Sequence, residues 1–260
     1  MRFYQEVMRD GYTLRGMIHR PDNCSGKVPM VVMLHGFKGN KLVKNQMFLE
    51  AAQRLEKCGI SSARFDFMGS GESDGELVEM SLRSECADAD CILDFVKTLD
   101  FVDTRRIGLY GTSLGGVIAT MVASKRSKEI ASLFLSAPAF SIQHEITIKK
   151  KMVGFDVRDA CRLGYFDAGG DKVGIGFLDD VRNLDLEHCI AGYPHPAMII
   201  HGTEDPLVDY RFSEYYVRLF PKGRLKLTEG ADHTWLSLPH RAELYETITR
   251  FFAETLAGEV

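Results

Sequence analysis

The spacing of apolar positions changes repeatedly along the chain. FYQEVMRDGYTLRGMIHRP holds two alternating stretches around Asp10-Gly11, a hairpin dipeptide, and predicts an antiparallel strand pair. VPMVVMLHG is continuously apolar up to His35-Gly36, as expected of a strand covered on both faces. A helix over about Gln46 to Lys57 and the strand ISSARFDF follow. From Ser81, apolar residues recur at Leu82, Cys86, Ala89, Leu93 and Val96, the spacing of one helix face. RIGLY then predicts a strand, LGGVIATMVAS a helix and EIASLFLSAP a strand. Near the end come PAMIIHG (strand), a helix from about Tyr210 to Phe220, RLKLTEG (strand) and a helix from Pro239 to about Leu256.

Strands alternating with helices predict an α/β fold: a mostly parallel twisted sheet with helices on both faces, preceded by the antiparallel hairpin. The rhythm fails between Pro138 and Pro196. A stretch that long carries structure or function of its own. It reads as an inserted cap, residues 139–195, over the carboxyl edge of a core domain formed by 1–138 and 196–260, where open α/β sheets bind ligands.

Composition changes this picture little. The 260 residues suffice for one large core, and a net charge of −4 gives no reason to expect nucleic acid or an anionic membrane as partner. The start MRFYQEVMRD lacks the pattern of a signal peptide, and no apolar run is long enough for a membrane span, so a cytoplasmic protein is expected. The cysteines at 24, 58, 86, 91, 161 and 189 include no C-x-x-C pair; no metal site is expected, and the thiols should be reduced, several of them buried.

Two stretches fit G-x-S-x-G: GESDG at 71–75 and GTSLG at 111–115. Such a pattern arises by chance often enough that context must decide. A serine nucleophile on a sharp turn needs a strand directly before it and a helix directly after it. GTSLG has both, with small residues where the backbone crowds, and nominates Ser113. GESDG has neither. It would also put Asp74 where a backbone N–H must stabilise negative charge, so it reads as a glycine-turn loop.

A serine hydroxyl needs a base, and the base an orienting acid. Where this elbow is used, the acid and then the histidine follow the serine in the chain. Asp205, in HGTEDPLVD after the strand PAMII, is the preferred acid, with Glu204 and Asp209 as rivals. His233, in EGADHTWL, is the preferred base. His144 and His188 belong to the insert, His195 lies at the wrong end of a strand, His201 reads as packed, and His240 opens the last helix. The N–H groups of Leu114 and Phe37 are the candidate oxyanion donors.

These motifs together — HGF at 35–37, RFDFMGSGESDG at 64–75, DTRRIGLYGTSLGG at 103–116, HGTEDPLV at 201–208 and GADHTW at 230–235 — resemble those of the α/β-hydrolase superfamily. Within it the length, the short cap and the Ser–Asp–His spacing are most similar to the small bacterial feruloyl (cinnamoyl) esterases. The resemblance implies hydrolysis of hydroxycinnamate esters without a cofactor, the cap covering the aromatic acyl group. Candidate substrate contacts are Gln143, Glu145, Tyr165 and Phe166 in the insert and His35, which also reads as a brace for its loop; Tyr165 and Phe166 serve equally well as the cap's own core. Lys149 to Lys151 read as a solvated face. A small ester, and a second copy of the chain in a homodimer, are the partners this reading admits. A monoacylglycerol lipase or small-substrate peptidase is the runner-up, and a silent binding module of the same fold is the alternative of another class.

Overall fold

The computed structural model describes residues 1–257 apart from 23 and 25, so the end of the expected core domain, 258–260, lies outside the described residues. In chain order the elements are β1 (Arg2–Arg9), β2 (Tyr12–His19), β3 (Val28–Leu34), α1 (Met47–Lys57), β4 (Ser61–Phe65), α2 (Leu82–Thr98), β5 (Val102–Thr112), α3 (Leu114–Lys125) and β6 (Ile130–Ser136). Short pieces follow: α4 (Ile142–His144) running into a π turn over Glu145–Lys149, the ribbon β7 (Lys151–Met152) with β8 (Phe155–Asp156), α5 (Ala160–Leu163), the hairpin β9 (Tyr165–Asp167) with β10 (Lys172–Gly174), α6 (Ile175–Arg182) and α7 (Leu186–Ala191). The alternation resumes with β11 (Ala197–Gly202), α8 (Arg211–Tyr216), β12 (Gly223–Thr228) and α9 (Leu238–Thr255).

One eight-stranded sheet runs in the order β1-β2-β4-β3-β5-β6-β11-β12. The β1–β2 and β2–β4 pairs are antiparallel; every pair from β4 onward is parallel. This is the α/β-hydrolase arrangement that the motifs implied. Because the central strands are parallel, the loops leaving β3, β5, β6, β11 and β12 all emerge on one edge.

Strand side chains alternate between two cores, as a period of two requires. Met30, Val32, Leu34, Leu109, Leu133 and Ile199 face α2, α3 and the insert. Val31, Met33, Tyr110, Phe134 and Ile200 face α1 and α9, where Phe134 packs on Tyr110 with centroids 5.4 Å apart. The insert has no separate core: Phe140, Ile142, Phe166 and Phe177 continue the first cluster. Its last helix, α7, packs on α3, and the buried Tyr193 hydroxyl donates to Ile130 O at 3.1 Å. β5 begins at Val102, four residues before RIGLY. All six cysteines are free thiols, but none is fully buried, against the expectation that several would be. Among the described residues no helix is long and apolar enough to cross a membrane.

The join of β5 to α3 is a tight backbone crossing. A Cβ on Gly111 would lie 2.2 Å from Gly115 O, and one on Gly115 would lie 2.1 Å from Leu34 O. Both obstacles are backbone and cannot swing aside. Gly115→Ala is therefore expected to cost about 3 kcal/mol or more in urea unfolding. Gly176→Ala, with nothing within 4 Å of the new methyl, should gain about 0.5 kcal/mol. Equal effects at the two positions contradict this packing.

Candidate active site

Ser113 stands at the β5–α3 join with φ 54° and ψ −121°, a backbone region that costs a non-glycine residue on the order of 1–3 kcal/mol. The surroundings hold it there. Ser113 N–H donates to Ser136 O at 3.0 Å, and Ser113 O accepts from Gly116 N at 2.9 Å and Ala139 N at 2.9 Å. The side chain is thereby turned out over the carboxyl edge of the sheet.

His233 meets it there. Its Nε2 lies 3.0 Å from Ser113 Oγ, and its Nδ1 lies 2.6 Å from Asp205 Oδ2. The loop carrying His233 is fixed by its own sequence. Asp232 Oδ1 accepts from Thr234 N at 2.6 Å, and the buried Trp235 donates from Nε1 to Ser136 Oγ at 3.0 Å. Gly230 N–H donates to Thr203 Oγ1 at 2.9 Å and Glu204 N–H to Ala231 O at 3.1 Å, so the acid and histidine loops are tied together.

Asp205 has no exposed side-chain surface. Its Oδ1 accepts from the N–H groups of Leu207 at 2.8 Å and Val208 at 2.9 Å; its Oδ2 is shared by His233 and by His201 Nε2 at 3.1 Å. Burial alone pushes this carboxyl up, but the hydrogen bonds from His201 and His233 outweigh it and hold it well below the usual carboxylate range. His201 is packed, as its position at a strand end suggested, and its Nδ1 lies 2.7 Å from Ser213 Oγ. Its bond to the acid was not foreseen.

The two N–H groups expected to face an oxyanion, on Phe37 and Leu114, donate to no protein acceptor among the described residues. His35 lies behind this loop rather than in the pocket. It is fully buried, Nδ1 lies 3.0 Å from Gly36 O, and Nε2 accepts from Phe67 N–H at 3.1 Å. Those bonds put its proton on Nδ1, and burial lowers its pKa. The other serine, Ser73, uses its hydroxyl on Asp66 O at 2.7 Å and on Arg15 N–H at 2.9 Å, inside a loop with glycines 69, 71 and 75 at positive φ.

A cavity of about 380 Å³ opens over Ser113 and His233. Its walls are mainly apolar: Val43, Met47, Ile142, Met152, Leu207 and Val208, with Phe37 beside Ser113. Of the insert residues expected to contact a substrate, only Glu145 lines it. Gln143 instead donates to the carbonyls of Arg182 at 3.2 Å and Leu184 at 3.0 Å. Phe166 is buried in the core, and Lys172 sits over the Tyr165 ring at 4.8 Å. Ile142, Met152 and Val153 take the places expected of those aromatics; they lie in pieces too short for any periodicity to mark them.

The fold and this arrangement define an α/β serine hydrolase. A family model described as serine aminopeptidase, S33, matches residues 27–158, just over half of the chain, and the chain belongs to that family. The structure is similar to Est1E from Butyrivibrio proteoclasticus, solved with ferulic acid bound, at a TM-score of 0.89 and 25% identity, covering 98% of this chain and 100% of that one. That likeness agrees with the resemblance to feruloyl esterases drawn from the motifs. An uncharacterised 31.7 kDa protein of the Escherichia coli traX–finO intergenic region is 32% identical over 108 residues, which is 41% of this chain and only 37% of that relative. An uncharacterised protein of Mycobacterium tuberculosis is 26% identical over 254 residues, 95% of this chain and 77% of the relative.

Asp205 has a folded pKa below its unfolded one. Its charge therefore contributes stability that is complete above the unfolded value of about 4 and is lost as pH falls through the folded value. Asp205→Asn is expected to be less stable than the parent by about 1–3 kcal/mol at pH 7. In urea titrations that gap should narrow below about pH 4. A gap independent of pH contradicts the charged, fourfold-bonded carboxylate.

Proposed function

We propose that the protein is a serine carboxylesterase that transfers the acyl group of its substrate to Ser113 and then to water. The observation that carries this reading is the unbroken hydrogen-bonded path from Ser113 Oγ through His233 to Asp205, beside two N–H groups that meet no protein acceptor among the described residues. His233 Nε2 takes the hydroxyl proton as Oγ attacks the ester carbonyl. Asp205, ionised and buried, keeps the imidazole proton on Nδ1 and stabilises the imidazolium. The N–H groups of Phe37 and Leu114 receive the oxyanion, and each such donor is worth about 10²–10³ in rate. The alcohol leaves with the proton from Nε2, and water repeats the sequence on the acyl-enzyme.

The insert, acting as a cap, supplies Ile142, Met152 and Val153 to the pocket. An apolar pocket of this size suits a flat hydroxycinnamoyl group, and the likeness to Est1E with its bound ferulic acid supports that acyl class. Glu145 is then the group placed to accept a hydrogen bond from a phenolic hydroxyl. A peptidase acting on free amino termini, as the family description names, needs a carboxylate free to hold an ammonium group. The charge of Glu145, the one carboxylate in the pocket wall among the described residues, is offset by Lys149 Nζ on Oε1 at 2.6 Å, which disfavours a second cation but leaves Oε2 to accept from a neutral hydroxyl. The ester reading is therefore preferred.

Ser113→Ala should lower kcat on methyl ferulate by about 10⁴ or more with unfolding unchanged. The parent should turn over methyl ferulate faster than a monoacylglycerol or an aminoacyl arylamide. Near-parental activity in the variant removes the serine mechanism; a preference for either other substrate removes the hydroxycinnamate assignment.

A further inference from the structure

We infer that Lys38 is a positioning residue for the oxyanion hole, gripping the insert so that the turn carrying the Phe37 N–H is held in place. The inference rests on the serine esterase reading above. Gly39 N–H donates to Gly36 O at 2.9 Å, closing a four-residue turn with Phe37 and Lys38 at its centre. The sheet side of this turn is fixed. His35 Nδ1 reaches Gly36 O, and Gly36 lies so close to the nucleophile that a Cβ there would be 2.9 Å from Ser113 Cβ.

The other half of the turn is fixed by the insert. Lys38 Nζ donates to Ala168 O at 2.5 Å and pairs with Asp171 Oδ2 at 2.5 Å, both in the turn between β9 and β10. It also lies 6.0 Å from the ring centroid of Phe155 in β8, so one ammonium joins the oxyanion turn to both hairpins of the insert. The Phe37 ring lies 6.0 Å from Phe177 of α6, the planes 29° apart. The peptide N–H of Phe37 sits between the two fixed halves, and its direction depends on both.

The backbone of Lys38 supports the same conclusion. Its φ is 53°, a conformation that glycine adopts freely and lysine does not. A glycine at this place would make the turn with less strain and no link to the insert. Asp171 is 55% exposed, so this ion pair contributes little to folding stability. Its loss should appear in catalysis rather than in unfolding.

The test compares Lys38→Met, Lys38→Arg and Asp171→Ala with the parent. It reads kcat and KM for methyl ferulate, the rate at which a fluorophosphonate labels Ser113, and Tm. Lys38→Met is expected to lower kcat and the labelling rate together by about tenfold, with KM within about twofold and Tm nearly unchanged. Lys38→Arg should recover most of the loss. Asp171→Ala should lose less, because Ala168 O still holds the ammonium. Parental kcat and labelling in Lys38→Met overturn the inference, and so does a rise in KM alone, which would make Lys38 a substrate contact. A parent that neither labels nor hydrolyses esters overturns the esterase reading and this inference together. A labelled parent and an equally labelled Lys38→Met overturn the inference alone.

Discussion

The backbone of Ser113 is held in a conformation that L-residues avoid, and the surrounding chain is shaped to keep it there. Gly111 and Gly115 let α3 leave β5 at a distance no side chain permits, with Leu34 O of β3 already in the way. Gly116 meets Pro138 after β6, and Gly36 meets Ser113 itself. Three strand ends and one helix N-terminus are thus brought into van der Waals contact around a single residue. The strain, on the order of 1–3 kcal/mol, is held by bonds to Ser136, Gly116 and Ala139. What the molecule gains is a serine whose hydroxyl stands clear of the sheet, next to N–H groups that meet no protein acceptor among the described residues.

The rest of the site's geometry follows from parallel topology. Loops leaving β11 and β12 reach the same edge, so Asp205 and His233 arrive beside Ser113 although they are far apart in sequence. Each loop is stiffened locally. Asp205 binds N–H groups of its own turn, Asp232 caps the residues after His233, and Trp235 buries its ring and donates to Ser136. Ile142, Met152 and Val153 of the insert line the space above. The insert shares the core of the sheet's α2–α3 face, so its position is coupled to the body of the protein rather than to a flexible stalk.

Much of this was legible in the chain because it rests on local rules. Strand, G-x-S-x-G and helix in direct succession marked Ser113, and the same rule excluded Ser73, whose loop lacks both neighbours. The order of acid and base placed Asp205 and His233. The pocket was less legible. Tyr165 and Phe166, aromatic and near glycines, read equally well as ligand platforms or as the cap's own core; Phe166 packs into the core shared with the sheet, and Tyr165 stacks beneath Lys172. Gln143 is spent on backbone carbonyls of the segment after α6. The residues that do form the wall, Ile142, Met152 and Val153, come from a three-residue helix, a two-residue strand and the turn after it. Pieces that short carry no periodicity, and their placement is decided by tertiary packing alone. Nothing in the sequence marks Lys38 as a left-handed residue reaching across to the insert.

In the proposed reaction the hydroxyl of Ser113, activated by His233, accepts the acyl group, and the N–H groups of Phe37 and Leu114 receive the negative oxygen. A crystal structure of the protein after reaction with a fluorophosphonate tests both halves at once. Phosphorus is expected to be bonded to Ser113 Oγ, with the phosphonyl oxygen within about 3 Å of both N–H groups. An unmodified Ser113 in folded protein, or an adduct whose oxygen points away from Phe37 and Leu114, contradicts the proposed reaction.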